Sequence, residues 1–370
     1  MPAVKNIRYL FLVIFGLALL YACKKDTAPA KQAQWAQELQ RIHDDLEKGL
    51  VDFSIDGELQ AATIDTVANT ITVAIPDSVD QHHLSAKLSL AGGFSAKLNT
   101  TAAGSTISYD FTQPVNLTLS SSNSTQSVSF KIIIETETQL FGLYGTVIAH
   151  KSLNKNYNFY YDQFDGSTFQ AINCGPAVTT MGIKWADPTF TETPAFARSL
   201  IRPQGGWWFT DDVQNYLSQN GISNNVDTLT NIDSLVKTNI DHNNLLILCL
   251  DMYYVPQNLI ESQHTQKFYG TGSVGWGHFL LVKGYMQLSV GFYLEIYDPY
   301  SDGVHYPGFD NTQIKGRDRY YLGDDIQLSA KIWWPYVITL AQKGKKVSNS
   351  THLQLNSVGK QRPIPKASGR

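Results

Sequence analysis

"VGWGHFLLVKGYMQLSVGFYLEIYDPYSDG", residues 274–303, holds two apolar runs of strand length joined by a short break. Runs of this length, bounded by glycine and by Asp-Pro, predict two strands and hence a β-hairpin. His278 stands at the mouth of the first run, and Asp298 closes the second, just before Pro299. In an antiparallel pair the entry of one strand lies beside the exit of the next, so the two side chains are predicted neighbours. An imidazole beside a carboxylate is half of an acid–base site, and Trp276, two residues before the histidine, is placed to shelter it.

The other half of such a site is a nucleophile, and "FQAINCGPAVTTMG", residues 169–182, offers one. Cys174 directly precedes Gly175-Pro176 and opens a predicted helix, since proline is tolerated in a first helical turn. A thiol attacks as its thiolate, and a helix start supplies the partial positive charge and free N–H groups that favour that form. A cysteine nucleophile also needs a base, and a group that orients the base. Each residue alone reads as packing: a cysteine at a helix start, a histidine beside an apolar strand, an Asp-Pro strand exit. Their conjunction is what points to chemistry. Cys249, in the continuous apolar run "LLILCLDM", reads as core.

Around these stretches, residues 137–341 form an α+β unit. "FTDDVQNYLSQNG", with Thr210 as candidate cap and Gly221 as stop, and "NIDSLVKTNIDHN" are further helices. "NLLILCLDMYY", "RDRYYLG" and "IWWPYVITL" are further strands. Residues 51–136 change texture to short alternating runs such as "TITVAIP" and "VNLTLSSS", which predict a β-sandwich. His82-His83 within it are adjacent and read as a solvated pair rather than metal ligands. Residues 23–50 form a tether and an amphipathic helix with Trp35, Leu39, Ile42 and Leu46 on one face. The segment from Gln342 to Arg370, with seven Lys and Arg and no acid, reads as a basic, disordered tail. Residues 1–22 combine a basic start with a short apolar run, the pattern of a signal peptide.

Three boxes, "CGPAVTTM", "GHFLLVKGY" and "YDPYSDG", resemble the Cys, His and Asp boxes of papain-like cysteine peptidases, especially the bacteriocin-processing, double-glycine-leader group. The resemblance covers roughly residues 140–340. It implies a papain-like fold of helices packed on an antiparallel sheet, with Cys174 as nucleophile, His278 as acid and base, and Asp298 orienting the imidazole. It also implies an oxyanion-stabilising glutamine six positions before the cysteine, where this chain has Thr168. Gln170 is the nearest substitute and the expected donor; Gln163 is the other option. "LYAC" resembles a bacterial lipobox with Cys23 as the lipidated residue, and the β-sandwich resembles Ig-like modules of Bacteroidetes surface lipoproteins.

The expected protein is a multidomain envelope lipoprotein: an all-β Ig-like sandwich, then an α+β papain-like domain that cleaves peptide or amide bonds. Its partners would be a peptide or protein substrate and the membrane that its lipid enters, with display at the outer membrane and a monomeric state. Two rivals share the pattern: a peptidoglycan amidase or peptidase with the same triad, and a catalytically inactive binding lipoprotein. A transferase outcome, with an amine replacing water, uses the same residues. The net charge of −3, or −5 once Lys5 and Arg8 leave with the leader, offers nucleic acid no attraction. No metal or cofactor is expected, since no His-Glu-x-x-His, Cys-x-x-Cys or phosphate loop occurs; "GTGSVGWG" lacks the Lys-Ser/Thr of such a loop.

Overall fold

A computed structural model describes residues 37, 40, 48–122, 126–308 and 311–347. The signal peptide, Cys23 and all of the expected tether and amphipathic helix of residues 23–50 except 37, 40 and 48–50 lie outside them, and Leu50 already opens the first strand. The chain divides into two compact units between Glu135 and Thr136.

The first unit is all β. Its strands are β1 (Leu50–Ile55), β2 (Gln60–Asp65), β3 (Thr70–Ile75), β4 (Leu84–Leu90), β5 (Phe94–Leu98), β6 (Thr101–Ala103), β7 (Thr106–Tyr109), β8 (Val115–Ser121) and β9 (Ser127–Thr136). They form a three-stranded sheet in the order β1-β4-β7 and a six-stranded sheet in the order β2-β3-β9-β8-β5-β6. Alternation does the folding: Val115, Leu117 and Leu119 of β8 point inward opposite Ile132, Phe130 and Val128 of β9. Phe53 of β1 and Ala86 of β4 close the same core from the other sheet. His82 and His83 are both exposed, in a 3₁₀ turn of residues Gln81–His83.

The second unit starts with the short helix α1 (Glu137–Leu140) and strand β10 (Val147–Ser152). Helices α2 (Cys174–Ala186), α3 (Pro194–Leu200) and α4 (Thr210–Gln219) follow, then β11 (Asn224–Thr228), α5 (Ile232–Asp241) and β12 (Leu245–Asp251). The hairpin β13 (Gly277–Leu288) and β14 (Gly291–Tyr297), then β15 (Arg319–Leu322), α6 (Gly323–Trp333) and β16 (Tyr336–Leu340) complete it. One seven-stranded antiparallel sheet runs β11-β16-β12-β13-β14-β15, with β10 pairing the far half of β13. Helix α2 packs on it so closely that a Cβ on Gly182 would sit 3.1 Å from Leu340.

Several sequence expectations change. "IWWPYVITL" is not one strand: Ile332 and Trp333 end α6, and the strand starts at Tyr336, after Pro335 has broken the helix. Thr210 does not cap α4; it is the first helical residue, and the Asp212 carboxylate accepts the Phe209 N–H at 2.7 Å instead. The start of the basic tail is docked rather than loose. Lys343 donates its backbone N–H to the Ala186 carbonyl and pairs its ammonium with Asp187 at 2.6 Å, and the Val347 N–H reaches Ser223 Oγ.

Candidate active site

The hairpin sets the histidine and the aspartate. Leu281 pairs with Tyr297 and Val282 with Ile296, and continuing that register puts Asp298 across from Leu280, two residues along from His278. His278 Nε2 lies 2.8 Å from Asp298 Oδ1. His278 also hydrogen-bonds the side chain of Cys174, the first residue of α2. The structure therefore brings Cys174, His278 and Asp298 together from a helix start and two strand ends. All three are buried, Asp298 completely.

Helix α2 reaches this point because Gly175 has no side chain: a Cβ there would lie 2.7 Å from Trp208 and 3.5 Å from Phe279. The Ala177 N–H donates to the Asn173 carbonyl at 2.9 Å. In that trans peptide unit the Cys174 N–H then points the opposite way, out of the helix end.

Burial pushes the Cys174 thiol up, yet its hydrogen bond to His278, the imidazolium charge, and the backbone N–H groups of Phe279 and Gly175 together bring it below the ordinary thiol value. Burial also opposes charge on His278, but the Asp298 carboxylate and the Cys174 thiolate push it up to about 10. Both directions favour a thiolate–imidazolium pair at neutral pH. Cys249 behaves oppositely: burial raises its thiol well above the ordinary value, as for a core residue.

Asp298 stays ionised in a dry site because four donors surround it. Besides His278, Oδ1 accepts the Tyr300 N–H at 2.9 Å, and Oδ2 accepts the hydroxyls of Tyr269 at 2.9 Å and Tyr321 at 2.6 Å. Burial alone would raise this carboxyl; the imidazolium and these bonds hold it below the usual range. Tyr269 and Tyr321 had no sequence signal, being two tyrosines among nineteen. The buried Asp251 was equally silent. It accepts the N–H groups of Gly275 and Trp276 at 2.7 and 3.0 Å and so fixes the loop that enters His278. The half-buried Trp276 lies 6.0 Å from the imidazole and 5.1 Å from Tyr300, ring centre to ring centre.

The two candidate glutamines have different surroundings. Gln170 is half-buried and turns its side-chain oxygen back to the Gly166 N–H at 2.9 Å, because the loop at residues 165–170 closes on itself. Gln163 is the buried one, 2% exposed. Its N–H donates to the Pro299 carbonyl, its Nε2 donates to the Gln170 carbonyl at 3.2 Å, and its Oε1 has no hydrogen-bond partner. Neighbours zip this segment to the Asp298 loop: Tyr160 donates to the Asp298 carbonyl, and Asp162 accepts N–H groups of Ser301, Asp302 and Gly303. The described residues contain no group of three His, Cys, Asp or Glu side chains able to hold a metal.

Residues 50–132 match the family model described as "SGBP, N-terminal". Among solved structures, the chain is similar to one from Bacillus anthracis provisionally described as a C39-like peptidase, at TM-score 0.34 and 12% identity over 55% of this chain and 100% of that one. It is also similar to a provisionally described glycoside hydrolase from Bacteroides thetaiotaomicron, at TM-score 0.22 and 8% identity over 82% of this chain and 97% of that one. Likeness this slight bears on neither fold nor chemistry. No curated protein matches the chain.

Proposed function

We propose that this protein is a cell-envelope thiol hydrolase: a lipid anchor at Cys23, an Ig-like sandwich, and a papain-like unit that cleaves peptide or amide bonds. The observation that carries the reading is the hydrogen-bonded series from the Cys174 thiol through His278 to the buried, fully partnered Asp298. Core packing alone has no use for three ionisable groups in that order.

In this reading the Cys174 thiolate adds to the carbonyl carbon. The Cys174 N–H, and a second N–H of the Gln163 amide, take the negative charge that develops on oxygen. Gln163 takes this role in the reading as the buried glutamine tied to the Asp298 loop through Pro299, whereas Gln170 is half-buried. The tetrahedral intermediate collapses as His278 gives its proton to the leaving amine, forming a thioester. The neutral imidazole then takes a proton from water, whose oxygen displaces the thiolate and releases the acid. Asp298 holds the imidazole with Nε2 toward itself, leaving Nδ1 for the sulfur.

The family match on residues 50–132 favours a surface location, since SGBP proteins are associated with the bacterial cell surface. It also supports a second reading, a surface glycan-binding protein whose second unit binds and does not cut. The pH dependence of Cys174 alkylation by iodoacetamide, in this chain and in His278→Ala, separates the two. Reactivity persisting well below about pH 8.5 and lost in the variant supports the hydrolase. A thiol that is inert, or that titrates alike in both chains, leaves the binding protein. Release of amine from purified murein against unfolded protein then distinguishes the two substrate classes.

A further inference from the structure

Arg198, on α3, is 3% exposed and has no carboxylate of its own. Its guanidinium makes three hydrogen bonds, all to uncharged acceptors: Nε to Asn173 Oδ1 at 2.9 Å, Nη2 to the Ile172 carbonyl at 2.9 Å, and Nη1 to the Gly206 carbonyl at 2.7 Å. It sits between the rings of Phe169 and Trp208, 5.9 and 5.8 Å from their centres. Among the described ion pairs it does not appear. The carboxylate nearest in influence, Asp212, is held by Arg202 at 2.6 Å and by the Phe209 N–H. A permanently charged group buried without a counter-charge is costly and needs an anion to offset it.

Two of its three acceptors belong to the residues immediately before the nucleophile. Ile172 ends a 3₁₀ turn, Gln170–Ile172, that leads through Asn173 into α2, and Asn173, which is fully buried, also donates its amide to Ser167 Oγ at 3.1 Å. These bonds hold the Ile172–Asn173 peptide plane and the Asn173 side chain, directly ahead of the plane whose N–H belongs to Cys174. The third acceptor, Gly206, ties the same cation to the turn ahead of Trp208, the residue against which Gly175 packs.

We infer that Arg198 is a positioning residue for the nucleophile: it aims the Cys174 N–H at the reacting carbonyl, and the Cys174 thiolate is the counter-charge that this buried cation otherwise lacks. The inference rests on the thiol-hydrolase reading and deepens it. The groups acting on Arg198 are consistent with it: burial weakens its charge most, Cys174 and Asp212 strengthen it, and Arg202 opposes it.

The test uses two alkylating reagents of similar size, neutral iodoacetamide and anionic iodoacetate, with the rate read at Cys174 by peptide mass in the full chain. Removing a nearby positive charge slows the anionic reagent selectively, whereas loosened packing affects both. In Arg198→Gln the iodoacetate-to-iodoacetamide rate ratio is expected to fall about three- to tenfold and the thiol pKa to rise by about one unit. Lys184→Gln, which removes a cation from the far end of α2, should leave the ratio unchanged. An unchanged ratio and pKa in Arg198→Gln overturn the inference while leaving the hydrolase reading intact. An ordinary thiol titration in the unsubstituted chain overturns both.

Should Arg198→Gln fail to fold, the His278→Ala chain provides the second measurement. There the carboxymethyl adduct of Cys174 is expected to melt about 4 °C or more above the carbamidomethyl adduct, because only the former returns an anion to Arg198. Equal melting temperatures overturn the inference.

Discussion

Strand β8 of the first unit and strand β13 of the second follow different rules. β8 alternates, with Val115, Leu117 and Leu119 inside and the residues between them facing outward. β13 is buried along nearly its whole length, and among its apolar residues it carries His278 and Lys283. The contrast extends to the whole units: every fully buried polar or charged side chain among the described residues lies at Thr138 or beyond. A sandwich that only needs to stand can keep a dry core. A unit that holds ionised groups out of water must bury their partners as well, and each unpartnered group costs more than an apolar one.

The most severe way to break this contrast is at the site. In the thiol-hydrolase reading, Cys174→Ala should abolish amide cleavage with the fold intact, measured as product release alongside a melting curve. His278→Ala should cut turnover by about 10²–10⁴-fold. Because burial is the largest influence on the thiol, removing the imidazole should carry it above its ordinary value rather than back to it. In the unsubstituted chain, alkylation should persist below the ordinary thiol range, and the imidazolium partner should be lost only as pH rises through about 10.

A structural charge gives the next largest effect. The fully buried Lys283 pairs with Glu295, reaches Asp318 at 2.6 Å and donates to Asn154 at 2.7 Å, and those carboxylates push its ammonium up. Lys283→Met would remove the cation that Glu295 and Asp318 share and should cost about 3–5 kcal/mol, read as a fall in the second unit's melting transition. Leu117→Ala should cost the first unit about 2–5 kcal/mol through a cavity. That loss should not change with pH, because nothing ionisable is buried beside it, and this makes it the sharpest counterpart to Lys283.

The smallest effect concerns the docked tail. Lys343, together with Thr189, holds the Asp187 carboxyl down to about 2. A depressed carboxyl contributes stability that is present above its unfolded value near 3.9 and is lost as pH falls through about 2. Lys343→Ala should therefore lower the neutral-pH melting temperature by a few degrees, with the difference closing in acid.

What was legible in the sequence follows the same division. The alternation of β8 and β9 and the hairpin around His278 and Asp298 could be read because strand period and strand ends are local properties. The helix start at Cys174 was equally open, announced by Gly175-Pro176. Tyr269, Tyr321, Asp251 and Arg198 were not, because each meets the site only through tertiary folding from segments of unremarkable composition. Gln163 was harder to favour than Gln170 for a similar reason. Distance along the chain ranked Gln170 first, but the clasp between Asp162 and the 301–303 loop ties the segment of the more distant glutamine to the Asp298 loop. Helix α6 was missed beside "RDRYYLG" because Tyr320 and Tyr321 give way to helix at once, with no intervening loop.

The four donors around Asp298 have a historical consequence. A substitution at Cys174 removes one hydrogen-bond partner from one imidazole and the counter-charge inferred for Arg198, whereas a substitution at Asp298 orphans two tyrosine hydroxyls, a backbone N–H and a histidine in a single step. In the thiol-hydrolase reading, loss of chemistry therefore disturbs fewer partners at position 174 than at position 298. In the same reading, a relative that binds and does not cut is expected to carry another residue at position 174 and still keep Asp298 with Tyr269 and Tyr321.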